Sequence, residues 1–113
     1  MPESFVDYPY GPTVDVIKNK AGKGFALLGI LTEADIRSIK RNCDEFAPAE
    51  VGDVSVTVKC QPELINELRR RYAAVIPGYY SNKNHWNTII VGKDCPSDEL
   101  IKMINTSFTL VTK

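Results

Sequence analysis

His85 is the only histidine in the chain, and it stands in the densest polar cluster of the sequence, Asn82-Lys83-Asn84-His85-Trp86-Asn87-Thr88. Imidazole exchanges protons near neutral pH, so a general base or a thiol activator is the first chemistry to consider. The thiols are Cys43, Cys60 and Cys95. Cys60 and Cys95 each precede an expected helix start, where the helix field can lower a thiol pKa. A Cys–His pair is conceivable on those grounds. A histidine fixed by hydrogen bonds in a polar turn, beside cysteines that fill space at caps, is the simpler reading. Three widely spaced cysteines without a C-x-x-C pair, with a single histidine, leave no zinc cluster to build. The carboxylates show neither glycosidase nor two-metal spacing, and no glycine-rich loop stands where a phosphate loop would. The residues point away from an enzyme and call for no cofactor.

Binding chemistry fits the same residues better. Lys83 and His85 can meet phosphates, with Asn82 or Trp86 near bases. Lys20 and Lys23 flank a glycine-rich turn, and Arg69 and Arg70 belong to an arginine run, Arg69-Arg70-Arg71. Each feature has a plainer alternative. Lysines on a hairpin discourage edge-to-edge aggregation. Consecutive helical residues are about 100° apart, so the three arginines spread over some 200° and cannot all face one ligand. Glu67 is placed to pair with Arg71 at i,i+4, and Arg70 is the freest of the three. Trp86 can anchor the sheet, and asparagines commonly satisfy turns.

The elements that would position these groups follow from periodicity. Residues 1–12 read as an extended lead-in. Val14–Ile17 and Phe25–Leu31 read as strands joined by Lys18-Asn19-Lys20-Ala21-Gly22-Lys23-Gly24, whose glycines permit a tight hairpin. Thr32 and Asp35 form a capping pair, with Leu31 and Ile36 at the staple positions, so a short helix follows. Val54–Val58 alternates with period two and is the clearest strand. Pro62 suits the first turn of a second helix, with Leu64, Ile65, Leu68 and Tyr72 on one stripe. After an Ile76-Pro77-Gly78 turn comes a strand over Asn87–Val91. A final helix starts at Pro96 or Ser97, with Leu100, Ile101, Ile104 and Phe108 as its stripe. The order β-β-α-β-α-β-α predicts an α+β domain: a mainly antiparallel sheet with the two better helices on one face.

Bulk composition agrees. The 113 residues suit one domain, and 43% hydrophobic with 25% charged is ordinary for a globular chain. Fourteen basic residues balance fourteen acidic ones, which counts against a strong non-specific grip on DNA. The balance is local, however: Lys59, Arg69, Arg70, Arg71 and Lys83 outnumber Glu63 and Glu67 between positions 59 and 85. No apolar stretch is long enough to span a membrane and no signal peptide is visible, so a cytoplasmic protein without membrane or metal partners is expected.

Five blocks carry a family likeness. Ile76-Pro77-Gly78-Tyr79-Tyr80-Ser81-Asn82-Lys83-Asn84-His85-Trp86-Asn87-Thr88, then Pro96-Ser97-Asp98-Glu99-Leu100, then Ser107-Phe108-Thr109-Leu110-Val111 resemble the MmcQ/YjbR family. Upstream, Gly22-Lys23-Gly24-Phe25-Ala26-Leu27 and Val58-Lys59-Cys60-Gln61-Pro62-Glu63-Leu64 resemble two more of its stretches. The likeness covers about residues 5–111. It implies a frataxin-like two-layer fold, described as a double wing, and a DNA-binding role assigned largely by shape. Ser81 departs from the family's usual methionine. The helix that normally precedes the first strand is not evident, so the expected domain, 1–113, is a member with that helix missing or trimmed. The expectation is a DNA-binding module using Lys20, Lys23, Arg69, Arg70, Asn82, Lys83, His85 and Trp86. The alternative is a protein-interaction or regulatory domain.

Overall fold

The computed structural model describes residues 4–7, 14–42, 47–78 and 85–112. Asn82 and Lys83 lie outside the described residues, as does Cys43. Among the described residues, six strands and three helices follow in order: β1 (Ser4–Asp7), β2 (Val14–Asn19), β3 (Gly24–Ile30), α1 (Glu33–Asn42), β4 (Val54–Lys59), α2 (Pro62–Arg71), β5 (Val75–Pro77), β6 (Trp86–Ile90) and α3 (Ser97–Thr112). The sheet order is β1-β2-β3-β4-β6-β5 with every neighbouring pair antiparallel. This is the α+β architecture that the periodicity predicts.

Two strands were not foreseen. β1 forms where a lead-in was expected. β5 forms where Ile76-Pro77 read as a turn, because Pro77 ends an edge strand, a place in a sheet where a missing N–H is harmless. The short-range signals hold up well. Thr32 N–H donates to Asp35 Oδ2 at 2.9 Å and Asp35 N–H to Thr32 Oγ1 at 3.2 Å, a reciprocal cap that frees neither orphan donor at the start of α1. Leu31 and Ile36, its staple residues, both pack in the main core.

α2 and α3 bury most of the stripes expected of them: Ile65 is buried, and Leu68 in α2, Tyr72 at its C-cap and Leu100, Ile104 and Phe108 in α3 pack against the main core. The exceptions are Leu64 and Ile101, 41% and 58% exposed, and α3 also turns Met103, Ser107 and Val111 inward. Ser107 is the polar residue on the buried face of α3. Its hydroxyl donates to Phe25 O at 2.6 Å and accepts Lys59 N–H at 2.9 Å. The β3–β4 register ends at Ala26↔Val58, so the helix supplies the next bridge between the strands. The β2–β3 register steps between Ile17 and Lys18. Phe25 falls at that irregularity, fully buried, with its ring edge-on to Phe108 at 5.0 Å.

Candidate functional site

Antiparallel pairing decides which charges meet. Lys18 pairs with Gly24, and the turn carrying Lys20 and Lys23 closes the hairpin beyond them. β3 runs against β4, so Lys59 at the end of β4 falls at the same end of the sheet as this turn. Lys59 in turn pairs with Trp86, and Cys60 N–H donates to His85 O at 2.7 Å. One end of the sheet thus gathers Lys18, Lys20, Lys23, Lys59 and His85, with Glu63 nearby in the first turn of α2. The opposite end carries Glu33 and Asp35 where α1 follows β3, Glu50 and Asp53 ahead of β4, and Asp94 after β6. There Lys93 sits between Glu50 and Asp53, at 3.6 and 3.4 Å. The two ends of the sheet thus differ in charge, while α1 carries Arg37, Lys40 and Arg41 outside this pattern.

The basic turn is held by its own backbone. Asn19, 4% exposed, accepts Ala21 N–H at 3.0 Å and Lys23 N–H at 2.9 Å on Oδ1. Asn19 N–H also donates to Lys23 O at 2.8 Å. Gly22 takes φ +83°, a left-handed turn position that a residue with a Cβ rarely adopts. Lys20 and Lys23 stand exposed on either side of that residue.

The arginine run is placed differently. α2 leaves β4 at the basic end and leads back toward the start of β5, so its C-terminal half recedes from the hairpin. Arg69 turns inward: Nε donates to Asn87 Oδ1 at 2.6 Å and a terminal N–H to Trp86 O at 3.2 Å. Fully buried Asn87 completes the node by donating Nδ2–H to Ile65 O at 3.3 Å and toward Cys60 Sγ at 3.7 Å. Arg71 pairs with Glu67 at 2.7 Å, as the i,i+4 spacing predicts. Arg70 is exposed. The structure accordingly leaves Lys20, Lys23 and His85 together, sets Arg70 apart from them, and commits Arg69 to holding α2 on β6.

Trp86 is half-buried against Val16 and Leu27, on the face opposite Asn87. Its backbone lies close to Gly78, whose N–H donates to Trp86 O at 3.0 Å. A Cβ at Gly78 would meet the Trp86 Cβ at 3.0 Å, a contact tight enough that glycine suits this approach. Trp86 in this setting is a sheet anchor beside the basic end.

Cys60 and Cys95 lie at helix starts as expected, but their thiols behave otherwise. Burial pushes the Cys60 thiol up, with the Asn87 hydrogen bond and the Arg69 charge pulling part of the way back. Burial also raises Cys95, helped by Asp94, Glu99 and Asp98. Desolvation sets the direction at both, and the groups acting on Cys60 are Asn87 and Arg69. Cys60 also lines a groove of about 280 Å³ between α2 and α3, with Leu64, Leu68 and Met103. Among the described residues, no group of three His, Cys, Asp or Glu could hold a metal, and no helix is long and apolar enough to cross a membrane.

The YjbR family model matches residues 1–110. The chain belongs to the YjbR family. Bacillus subtilis YyaQ is 33% identical over 60 residues, which are 52% of this chain and 50% of that protein. Escherichia coli K12 YjbR is 30% identical over 54 residues, 48% of this chain and 46% of that protein. The chain thus spans about half the length of these curated relatives, and both are named uncharacterized proteins. The crystal structure of Deinococcus radiodurans DR2400, a DUF419 protein, superposes over 100% of this chain and 71% of its own, with TM-score 0.75 and 25% identity. A Pseudomonas syringae crystal structure covers 95% of this chain and 86% of its own, with TM-score 0.73 and 25% identity. In this YjbR chain the blocks that carry the likeness prove to be joints of the fold. Ser107 bridges β3 and β4, Asn87 ties β6 to α2, and Trp86 closes on Gly78.

Lys18, Asn19 and Lys59 were not among the expected site residues. Lys59 stood in plain view after the clearest strand. Only the register of β3 on β4 brings it to the hairpin, and no local pattern encodes that pairing.

Proposed function

We propose that this chain is a non-catalytic nucleic-acid-binding module that meets phosphates with the hairpin end of its sheet. The reading rests on one observation: antiparallel register gathers Lys18, Lys20, Lys23, Lys59 and His85 at one end while Glu33, Asp35, Glu50, Asp53 and Asp94 lie at the other. Phosphate contacts supply most of non-specific affinity, and a polarised surface orients a neutral protein on a polyanion. Lys20 and Lys23 lead the interface because both are exposed on a turn fixed by Asn19. Arg69 is left out of it, and Arg70 is peripheral.

Fluorescence anisotropy with labelled oligonucleotides at several salt concentrations tests the reading. Binding should weaken steeply with salt. Lys20→Glu with Lys23→Glu should flatten the log–log slope by about 1.4 to 1.8 units, the share of two phosphate contacts. No binding at low salt, or an unchanged slope in the double variant, would sink it.

A protein-interaction reading has its own observation. Ile30, Val54 and Val91 are 53%, 45% and 38% exposed and stand side by side across β3, β4 and the end of β6. That row lies at the acidic end, so Val54→Lys separates the two readings: it leaves oligonucleotide binding intact if the hairpin end is the interface.

A further inference from the structure

The basic end is not flat. The β2–β3 turn and the last turn of α3 enclose a concavity of about 230 Å³, lined by Asn19, Lys20, Ala21, Lys23, Phe108, Val111 and Thr112. Its floor is apolar and partly aromatic, and its rim carries two ammonium groups. Phe108 is half-buried. Its ring is braced edge-on by Phe25 at 5.0 Å, so the ring is fixed where it borders the concavity. The rim is equally fixed: Asn19 pins the turn, and its Nδ2–H reaches Thr112 Oγ1 at 3.4 Å. The space is smaller than a drug-sized pocket of roughly 300 to 1,000 Å³ and suits a single ring system.

We propose that this concavity receives one planar ring bearing a phosphate, as presented by an unpaired nucleotide. The ring lies against Phe108 and Val111, and the phosphate is held by Lys20 and Lys23. This inference rests on the phosphate-binding reading above and narrows it, since a paired base enters only after unpairing and unstacking at a cost of a few kcal/mol. Aromatic side chains beside lysines are the ordinary chemistry of single-strand binding, where each stacked base adds about 1 to 3 kcal/mol.

One structural role competes for the lysines. α3 ends at this concavity with no basic residue in its last turn, and its C-terminus carries about half a negative charge. The lysines would complement that end even without a ligand. Two ammonium groups still leave the rim positive, so anion binding and helix stabilisation are compatible and separable by experiment.

Calorimetry or amide chemical-shift titration of the intact chain with phenyl phosphate, inorganic phosphate, thymidine monophosphate and oligothymidylate tests the proposal. Phenyl phosphate should bind about tenfold more tightly than inorganic phosphate, the lower part of the range that one stacked ring supplies. Oligothymidylate should bind more tightly than a duplex of equal length. Ala21→Trp, at an exposed turn position, should plug the concavity and erase both preferences while inorganic phosphate still binds. Phe108→Leu should reduce them without abolishing phosphate binding. If thymidine monophosphate binds as well as the oligomer, the proposal stands and the ring comes from a small molecule rather than a strand. Three results would overturn it: phenyl phosphate binding no better than phosphate, a preference that survives Ala21→Trp, or Lys20→Gln with Lys23→Gln lowering stability with phosphate binding unchanged. Should duplex and single strand bind equally and with steep salt dependence, this inference fails while the phosphate-binding reading survives. Failure of every phosphate-bearing probe removes both.

Discussion

Two clusters of positive charge look alike in the sequence and part company in the fold. The hairpin lysines, Lys20 and Lys23, lie on a turn whose backbone is satisfied by Asn19, so their ammonium groups remain exposed. The arginine run sits on a helix that must be fastened to the sheet. Arg69 does the fastening through Asn87 and Trp86 O, and Arg71 pairs with Glu67. A count of cations ranks the arginines first, yet the fold consumes two of them, Arg69 and Arg71, and leaves the lysines for solvent or ligand. A charged side chain becomes available for function when neighbouring groups satisfy the backbone for it.

The largest expected effect tests the consumed side of that contrast. Asn87→Ala leaves Arg69 without its 2.6 Å partner and strips Ile65 O of a donor in a fully buried position. The expected loss is about 2 to 4 kcal/mol by denaturant unfolding, from unpaired buried groups and a small cavity. Lys20→Ala with Lys23→Ala should cost less than about 0.5 kcal/mol, as exposed substitutions usually do. Equal losses for the two variants would erase the distinction between a structural and an available cluster.

Ser107→Ala comes next. It removes the donor to Phe25 O and the acceptor for Lys59 N–H, at a cost of about 1 to 3 kcal/mol. The effect should be local to the basic end. Faster amide exchange at Lys59, with the β4–β6 pairs largely unchanged, would show that α3 splices the two strands that bring Lys59 to the hairpin. Exchange that rises evenly across the sheet would instead make Ser107 a general core residue.

These joints mark the boundary of what the sequence could reveal. The hairpin, the Thr32–Asp35 cap, the Val54–Val58 strand and the Glu67–Arg71 pair are all local, decided by residues within four or five positions, and each is legible from spacing alone. β5 was missed because three residues ending in proline carry no periodicity. The inward turn of Ser107 was missed because a serine on a helix reads as solvent-facing, and its partners are Phe25 and Lys59, far away in the chain. The candidate site divides the same way. Lys20 and Lys23 were visible as a charged turn. Lys59 and His85 join them only through pairing of β3 with β4 and β4 with β6. Asn82 and Lys83 lie outside the described residues.

A smaller effect sharpens the comparison on the arginine side. Arg70 is exposed like the lysines but stands on the part of α2 that recedes from the hairpin. Arg70→Glu should change oligonucleotide affinity by less than about a third of the loss seen on reversing Lys20 alone, measured by anisotropy near about 0.1 M salt, where charges are screened over about 10 Å. A full-sized loss would extend the interface along α2 and return the arginine run to the site.

The smallest effect is read in pH. Burial raises the Cys60 thiol above its ordinary value while Asn87 and Arg69 pull it partly back, so the folded chain holds this proton longer than the unfolded chain does. With pH rising past about 8.5, the unfolded state loses the proton first, and folding stability should fall. Below that pH the thiol is protonated in both states and contributes no slope. Cys60→Ser should flatten the alkaline decline without moving the neutral plateau in the same direction, and Asn87→Ala should steepen it, because the hydrogen bond that lowers this pKa is gone. An alkaline limb that Cys60→Ser leaves untouched would assign the decline to other groups. It would also reduce the Arg69–Asn87–Cys60 node to a contact between α2 and β6 with no electrical effect on the thiol.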